Sequence, residues 1–388
     1  MKKIIIVNNN MKVGGVQKSL INLLRSIEGK AEITLLLFSQ SGEYIDYLPT
    51  SVRIFHCNSL FRYLGMSQGE CKGLDRFLRG FLAALCKLLG RATVMKLLLA
   101  SQNEVEGEFD CAISFLHNGR DSNFYGGTQE FVLHKVRAKQ KVAFLHCDYS
   151  QSGANTKANN ALIEQFDWIA ACSEGCRNAF IQTLPELEER CVCVRNCHDY
   201  PQILKMAEME KIAYPVQTRN VVMVSRLAHE KGIERAIEAT AYALKQGIQI
   251  HLHIVGGGPM EQQLRQKVQL LDLGKNVHFY GEKANPYPYM HAADLFLLTS
   301  FHEAAPMVIE EASALGTPIL TVRTTSSNEM VVKRNCGWVC DNGQQALNEA
   351  LVRVLRNSAE VDALKQAMLS RTFDNAEAMA QFMNLIEG

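Results

Sequence analysis

The sequence lacks three features that would place it in a specialised class of proteins. It contains no apolar run of about 18 or more residues, so no segment is long enough to cross a bilayer as a helix. Its 41 basic and 40 acidic residues leave a formal net charge of +1, and this balance does not point to a nucleic-acid partner. The first residues, MKKIIIV, are too short for a signal-peptide core, so we expect a cytoplasmic protein.

The cysteines do not follow the pattern of a metal site or of an extracellular disulfide framework. Twelve are present. The most closely spaced pairs are Cys172 and Cys176, Cys191 and Cys193, and Cys336 and Cys340. None of them is a CxxC pair, which zinc sites commonly contain, so we expect no bound metal. Because thiols stay reduced in the cytoplasm, we expect free cysteines.

What the sequence does contain is the composition of a packed globular protein, with 47% hydrophobic and 8% aromatic residues. Its length allows two domains of ordinary size. Apolar β-branched runs alternate with amphipathic segments, as in the predicted strand at residues 2–7 and the predicted helix at 18–27. This alternation predicts an α/β protein with parallel sheets and right-handed crossovers. We place the hinge between the domains near residues 198–218.

The densest set of candidate site residues lies at 294–318, DLFLLTSFHEAAPMVIEEASALGTP. We predict a strand, a polar loop with Glu303, and an apolar helix that Pro306 opens and Gly316 ends. Proline suits the first helical position, where its missing N–H would be unpaired anyway, and the positive helix end suits phosphate. Glu303 lies before the helix, and Glu311 lies about 7.5 Å further along the axis than Pro306. That separation suits one carboxylate near a diphosphate-linked group and another near a ribose diol. Alternatively, Glu303 is an ordinary loop carboxylate and Glu311 a solvated helix residue.

A similar strand, loop and helix precede this stretch at residues 220–239. The loop carries two cations, Arg226 and Lys231. Two fixed positive charges beside a helix N-terminus would neutralise a diphosphate and hold it in place. The alternative is that both are surface cations paired with Glu230 and Glu234.

These segments together resemble a known family. The order SRLxxxKG, VGGGP, Glu303-x7-Glu311 and GTP, over residues 218–330, resembles the donor-binding half of retaining GT-B glycosyltransferases of family four. The resemblance implies a GT-B fold, in which two Rossmann-like parallel-sheet domains face each other across a cleft. The implied boundaries are 1–200 for an acceptor-binding domain, 201–370 for a nucleotide-sugar-binding domain, and 371–388 for a helix that packs back on the first domain.

The resemblance also implies an activity and the residues that perform it. The implied reaction is metal-independent, retaining transfer of a hexose-type sugar from a nucleotide diphosphate sugar, with UDP preferred, to a glycan or lipid-linked acceptor. Arg226 and Lys231 would stabilise the leaving diphosphate, and Glu311 would bind the ribose. Glu303 would hold sugar hydroxyls, and His146 would contact the sugar from the other side. The further predicted substrate-binding residues are Gly14, Gly15, Gly257, Gly258, Pro259, Gly281, Ala304, Ala305, Pro306, Met307 and Val308.

Two features of the first half border the predicted cleft. Gly14 and Gly15 follow the first strand, where glycine permits close approach of a ligand or merely satisfies the turn. His117 and His146 each follow a predicted strand, and ligands of doubly wound sheets bind beyond such strand ends. The resemblance favours His146 as the residue that contacts the sugar.

The chain departs from the family at Ala304 and Ala305, where relatives usually carry glycine and an aromatic residue. These positions lie where the sugar ring would rest, so the identity of the sugar stays open. Two other functions stay open as well. A GT-B sugar-nucleotide 2-epimerase would form an isomer without acceptor, and a catalytically silent subunit of a glycan-assembly complex would bind nucleotide without transfer.

Residues 60–100 combine long apolar faces with seven cations and only two acidic residues. The cations are Arg62, Lys72, Arg76, Arg79, Lys87, Arg91 and Lys96. A basic amphipathic helix pair of this kind can lie on an anionic membrane, here at the inner face. The alternative is that Leu78, Leu82, Leu85 and Leu89 are core residues and the cations a solvated face. Since many family members act on lipid-linked acceptors, the resemblance favours membrane contact.

Overall fold

The computed structural model describes residues 1–387 and divides the chain into two compact units. The first unit comprises Met1–Cys197 and the residues from Asn375 onward, and the second comprises His198–Asp374. Each unit has a parallel sheet and hydrophobic clusters of its own. The predicted α/β class with two Rossmann-like parallel sheets is therefore confirmed.

The first unit is built on seven parallel strands in the order β3-β2-β1-β4-β5-β6-β7. Their bounds are β1 Lys3–Asn8, β2 Glu32–Leu37, β3 Arg53–His56, β4 Phe109–Ser114, β5 Ala138–Leu145, β6 Trp168–Ala171 and β7 Cys191–Cys193. In β1, Ile4 and Ile6 face one hydrophobic cluster, whereas Ile5 and Val7 face another. Because both faces of this strand are buried, it needs apolar side chains throughout. The direction in which strands are added reverses between β1 and β4.

Helices connect the strands of the first unit. Their bounds are α1 Gly15–Ser26, α2 Arg62–Gly65, α3 Gly73–Leu89, α4 Arg91–Ala100, α5 Thr128–Lys135, α6 Lys157–Ile163 and α7 Glu174–Thr183. Short 3-10 turns cover Ile45–Tyr47 and Pro185–Arg190. Helix α1 begins at Gly15 rather than at residue 18 as predicted, with Gly14 in extended conformation before it.

The second unit has a six-stranded parallel sheet in the order β10-β9-β8-β11-β12-β13. Its strands are β8 Arg219–Val224, β9 Ile250–Val255, β10 Val277–Phe279, β11 Leu295–Leu298, β12 Ile319–Val322 and β13 Gly337–Cys340. Its helices are α8 Tyr200–Ala207, α9 Ile233–Lys245, α10 Glu261–Leu270, α11 Tyr287–His291, α12 Met307–Ala314, α13 Gln344–Arg356 and α14 Ser358–Leu369. A 3-10 turn covers His229–Lys231 and a π-helical turn Asn328–Val332. The direction in which successive strands are added to this sheet reverses between β8 and β11.

The last helix, α15 (Ala376–Glu387), packs into the core of the first unit. Phe382 is fully buried, and its ring centre lies 6.5 Å from that of Phe144. Lys2 Nζ donates a hydrogen bond of 2.6 Å to the carbonyl oxygen of Ile386. The end of the chain therefore completes a core to which its first strand belongs.

A buried ion pair joins α4 and α5 in the first unit. Arg91 and Glu130 are 4% and 6% exposed, and the guanidinium of Arg91 binds both carboxylate oxygens of Glu130. Arg91 Nη2 also donates to Oδ1 of Asn118 at 2.7 Å. Arg91 was predicted to belong to a solvated or membrane-facing set of cations. This assignment is wrong for Arg91, because its charge is neutralised in the interior.

All twelve cysteines are free thiols, and eleven of them are buried. Burial raises the pKa of Cys111 and of Cys147 to about 12. Both side chains therefore stay protonated at neutral pH. Since the thiolate is the reactive form, these two residues act as small apolar core residues.

Candidate functional site

The second sheet places the predicted cations and Glu303 in the loops that follow two neighbouring strands. Arg226 and Lys231 lie in the loop that follows β8, and Glu303 lies in the loop that follows β11. These two strands are adjacent, and the strand order reverses between them. In doubly wound sheets, ligands bind beyond the carboxyl ends of the strands at such a reversal. The topology therefore supports the predicted position of the site.

Lys231 and Glu303 form an ion pair at this edge of the sheet. Lys231 Nζ lies 2.7 Å from Oε1 of Glu303, and their side chains are 26% and 11% exposed. Ser300 Oγ donates to the same oxygen at 2.6 Å. The Oγ of Thr299 donates to the carbonyl of Gly232 at 2.8 Å, which ties the end of β11 to the loop after β8. These contacts hold both charges in place, and both side chains stay partly exposed.

Arg226 is more exposed than Lys231. Its side chain is 67% exposed and forms an ion pair with Glu230, four residues further along the chain. The backbone N–H of Phe301 donates to the carbonyl of Glu230 at 3.0 Å, so the loop after β11 contacts this turn as well. Glu234 does not pair with Lys231; it accepts a hydrogen bond from Gln263 at 2.7 Å. The surface-pair alternative thus describes the contacts of Arg226 and not those of Lys231.

Helix α12 follows the loop that carries Glu303. It begins at Met307, and Pro306, with a ψ of 119°, is the extended residue before it. The prediction that Pro306 is the first helical residue is therefore wrong by one position. The N–H groups of the first turn have no acceptor within the helix, and the positive end of the dipole lies there. Ala304 and Ala305 lead into this end and, with Val308 in the first turn, are half-buried.

Glu311 is a buried residue of α12. Only 2% of it is exposed, so the alternative that it is a solvated helix residue is wrong. Its neighbour Glu310 is 5% exposed and forms an ion pair of 2.8 Å with Nη1 of Arg334. Buried carboxylates are rare unless paired, and they commonly mark a structural or ligand-binding role.

The glycine-rich loop after β9 packs directly against the loop after β8. A Cβ atom on Gly256 would lie 1.9 Å from the carbonyl oxygen of Ser225, and one on Gly258 would lie 2.5 Å from that of Leu227. The N–H of Leu227 donates to the carbonyl of Gly257 at 2.8 Å. Gly256 and Gly258 are therefore needed for contact between two loops, which is a packing reason that the sequence did not show.

The remaining predicted donor-binding residues also follow strands of this sheet. Pro259 lies in the turn between β9 and α10, next to Gly257 and Gly258. Gly281 follows β10, has a φ of 70°, and accepts a hydrogen bond of 2.8 Å from the N–H of Gly256. All strands of the sheet are parallel, so these loops lie at the same edge as Lys231.

Arg235 supports this site and was missed by the sequence analysis. Its side chain on α9 is 7% exposed, and Nη1 donates to the carbonyl of Thr299 at 3.2 Å and to Oδ1 of Asn342 at 2.7 Å. The guanidinium carbon lies 5.0 Å from the ring centre of Phe301. Arg235 thereby holds the start of the loop that carries Glu303. The sequence contains one signal that could have identified Arg235: it is a cation among the mostly apolar residues that form the buried face of helix Ile233–Lys245.

Four candidate residues of the first unit follow neighbouring strands at the reversal point of its own sheet. Gly14 and Gly15 follow β1, and His117 follows the adjacent β4. His146 follows β5, the next strand, and its ring lies 4.6 Å from that of Phe115. His117 Nδ1 and His146 Nε2 are buried and have no hydrogen-bond partner within the described residues 1–387. Buried polar atoms are normally paired, so an unpaired ring nitrogen is consistent with a ligand that completes the site.

Both histidines are neutral at pH 7. Burial, and to a smaller extent the neighbouring His117, lowers the pKa of His146 to about 3. Burial lowers the pKa of His117 to about 4. A neutral imidazole both donates and accepts a hydrogen bond, as contact with a sugar hydroxyl requires.

The depressed pKa of His146 predicts a pH-dependent stability. The unfolded chain binds this proton near pH 6.5 and the folded chain only near pH 3, so between these values the unfolded state binds more protons. Stability is therefore full above pH 6.5 and is lost as the pH falls. At pH 5 we expect His146 to cost about 2 kcal/mol. Denaturant unfolding of the parent chain and of His146→Gln measures this: the variant should show a smaller loss between pH 7 and pH 5, and an equal loss would contradict the assignment.

No group of three or more His, Cys, Asp or Glu side chains in residues 1–387 is arranged to hold a metal ion. The positive charge available at the edge of the second sheet comes from Arg226, Lys231 and the N-terminus of α12. These groups suit a diphosphate, because charged donors and a helix end both favour phosphate oxygens.

Comparison with known proteins relates these features to a family. Residues 205–370 match the family model described as glycosyl transferases group 1. The amylovoran biosynthesis glycosyltransferase AmsK of Erwinia amylovora is 29% identical over 183 residues, which cover 44% of this chain and 45% of that protein. The lipopolysaccharide glucosyltransferase WaaG of Escherichia coli K12 is 33% identical over 131 residues, which cover 33% of this chain and 35% of that protein. The matches span less than half the length of these curated relatives.

Solved structures share the fold over the whole chain. Anabaena Alr3699/HepE, solved in complex with UDP and glucose, gives a TM-score of 0.68 at 20% identity and covers 100% of both chains. The structure of WaaG, described as a glycosyltransferase involved in lipopolysaccharide biosynthesis, gives a TM-score of 0.63 at 16% identity. The match covers 98% of this chain and 99% of the WaaG chain. The GT-B fold implied by the sequence motifs is confirmed.

Proposed function

We propose, from the match of residues 205–370 to the family model of glycosyl transferases group 1, that the whole chain is a glycosyltransferase. The donor is a UDP-sugar carrying a hexose-type sugar. The acceptor is a glycan or a lipid-linked glycan used in surface polysaccharide synthesis, and the transfer retains the anomeric configuration. Relatives named for amylovoran biosynthesis and for lipopolysaccharide glucosyl transfer support this class of acceptor.

The observation that carries the proposal is the ion pair of Lys231 and Glu303 at the reversal point of the second sheet. A diphosphate placed there meets Lys231, Arg226 and the first turn of α12. Phosphate oxygens replace the carboxylate as partner of Lys231, and Glu303 then becomes free to accept hydrogen bonds from sugar hydroxyls. Positive groups placed where charge develops on the leaving diphosphate lower the barrier to its departure.

The remaining roles follow from the chemistry of each residue. Glu311 accepts hydrogen bonds from the ribose hydroxyls, as carboxylates do from diols. His146, neutral at pH 7, contacts the transferred sugar. The leaving phosphate itself helps to remove the proton of the acceptor hydroxyl, as the resemblance to retaining enzymes implies. The positive charge for the leaving group comes from the protein in this proposal.

Thermal stabilisation by a panel of nucleotides and nucleotide sugars tests the donor. A ligand that binds only the folded chain stabilises it by about 2.7 kcal/mol at 100 times its dissociation constant, which corresponds to about 5 °C or more for a unit of this size. We expect UDP and one UDP-sugar to raise the melting temperature more than GDP and GDP-sugars do. A larger shift with GDP-sugars would overturn the UDP assignment, and no shift with any member would overturn the function.

The selected donor then separates transfer from the two other functions. Incubated with a native lipid or polysaccharide extract, the chain should release UDP and form a glycosylated product whose anomeric configuration matches that of the donor, as read by NMR. Isomer formation from the donor alone would show a sugar-nucleotide epimerase. Stabilisation by the donor without transfer to any acceptor would show a silent binding subunit.

A further inference from the structure

Helix α3 exposes a row of large apolar side chains, which we call the outer stripe. It consists of Leu74, Phe77, Phe81 and Leu88, which are 72%, 68%, 48% and 79% exposed. At 3.6 residues per turn the four fall within an arc of about 60°, and the stripe runs along most of a helix of about 25 Å. Phe77 and Phe81 stack with ring centres 6.4 Å apart. Contiguous apolar surface of this kind marks an interaction site.

The outer stripe is distinct from the face by which α3 packs on its own unit. Leu82 and Cys86 are buried in the core, and Leu78 and Leu85 pack against it. The predicted core set therefore holds for Leu78, Leu82 and Leu85, but Leu89 is 60% exposed beside the end of the stripe. The helix thus has two apolar faces, and only one of them is used within the unit.

Positive charge shares the outward surface with the outer stripe. Lys72, Arg76 and Lys87 are exposed, and the described part of the chain gives them no ion-pair partner. The two acidic residues of residues 60–100 are neutralised elsewhere: Glu70 pairs with Lys12, and Asp75 pairs with Arg62 at 2.7 Å. The outward surface of α3 is therefore apolar and cationic, without a free acid.

We propose that the outer stripe of α3, with Lys72, Arg76 and Lys87, docks the chain on an anionic lipid bilayer. The apolar side chains enter the boundary between headgroups and acyl chains, and the cations bind lipid phosphates. No helix of residues 1–387 has the length and apolar character to span a bilayer. A second copy of the chain fits this surface less well, because two stripes in contact would bring cations of the same sign together.

Membrane docking through α3 goes beyond the proposed sugar transfer, because it concerns the attachment of the first unit to a bilayer and not the reaction. It also revises the predicted membrane segment. Arg62, Arg79 and Arg91 bind partners within the protein, so they leave the predicted set of membrane-facing cations. Lys96 is exposed on the neighbouring α4, and we assign the contact to the outward side of α3, where the large exposed apolar side chains form a row.

Binding of the full chain to vesicles tests the proposal. Vesicles of phosphatidylcholine alone are compared with vesicles that also contain phosphatidylglycerol, and bound protein is measured by co-sedimentation. The stripe variant is Phe77→Gln/Phe81→Gln, and its matched control is Val216→Gln/Leu270→Gln, which removes two apolar residues each 85% exposed on the second unit. The charge variant is Lys72→Gln/Arg76→Gln/Lys87→Gln, and its control is Lys211→Gln/Lys245→Gln/Lys275→Gln, three exposed lysines of the second unit.

We expect binding to anionic vesicles only, reduced about tenfold or more in the stripe variant and about fivefold per removed cation in the charge variant. Raising salt from about 0.1 M to about 1 M should weaken it, because the screening length falls from about 10 Å to about 3 Å. Both controls should bind as the parent chain does. The substituted side chains are exposed, so all variants should keep the parent circular dichroism and the stabilisation by UDP, which reports the donor site separately.

Three results would overturn the proposal. The first is equal binding of the parent chain and the stripe variant to anionic vesicles. The second is equal binding to neutral and anionic vesicles. The third is a dimer that the stripe variant abolishes, seen by sedimentation velocity, together with no vesicle binding; that result would assign the surface to a second copy.

Discussion

Replacing Lys231 with alanine is expected to lower turnover by about 10²- to 10³-fold, the usual cost of removing one group that stabilises developing charge. Lys231 is the cation most firmly held at the reversal point of the second sheet, through its ion pair with Glu303. Arg226 lies on the same loop but is 67% exposed and paired with Glu230, so we expect Arg226→Ala to cost less than Lys231→Ala. The measurement is UDP release from the selected donor at saturating acceptor.

Matched variants separate this effect from a loss of folding. Lys275→Ala removes an exposed lysine of the same unit, in the turn that precedes β10, and should leave turnover unchanged. Lys231→Arg keeps the charge and should retain more activity than Lys231→Ala. If a folded Lys231→Ala protein turns over at the parent rate, Lys231 does not stabilise the leaving group.

Breaking the buried pair of Arg91 and Glu130 is expected to give the largest loss of stability. Removing one partner leaves the other charge unpaired in the interior, and such changes cost about 3–5 kcal/mol. We therefore expect Arg91→Met and Glu130→Gln each to destabilise the first unit by about this amount. The double variant Arg91→Met/Glu130→Gln should lose less than the sum of the single changes, because no charge is left unpaired.

The two tryptophans allow the first unit to be followed alone. Trp168 lies in β6 and Trp338 in β13, one in each unit. In a Trp338→Phe background, the fluorescence of Trp168 reports unfolding of the first unit in denaturant. Arg137→Met breaks an exposed pair with Glu104 in the same unit and should cost less than about 1 kcal/mol. A similarly small cost for Arg91→Met would show that the buried pair does not stabilise this unit.

The strands were largely predictable because their signal is local. Apolar runs predicted the strand at residues 2–7 and the strands at the start of residues 220–239 and 294–318, which correspond to β1, β8 and β11. The strand that was missed is β13, Gly337–Cys340, which begins with glycine and is only partly buried. It exists because it pairs with β12, with Leu320 opposite Trp338. Pairing with a neighbour is a property of the sheet and is weakly marked in a short segment.

The candidate site was predictable in its location but not in its contacts. Motif order and strand ends pointed to Arg226, Lys231 and Glu303. That Lys231 meets Glu303, 72 residues away, could not be read from either segment. Arg235 was missed for the same reason, since its partners Thr299 and Asn342 come from other parts of the unit.

The sequence by itself determined the alternation of strands and helices, the parallel α/β class and the segments that resemble the donor-binding half of a glycosyltransferase family. These depend on near-neighbour sterics and on the period of apolar residues, which are encoded locally. Only the tertiary structure decided which charges meet, which glycines are required by packing, and which apolar face of α3 is left outside. These depend on how distant segments pack into one core, so the same leucine or arginine is buried or exposed according to neighbours that its own segment does not specify.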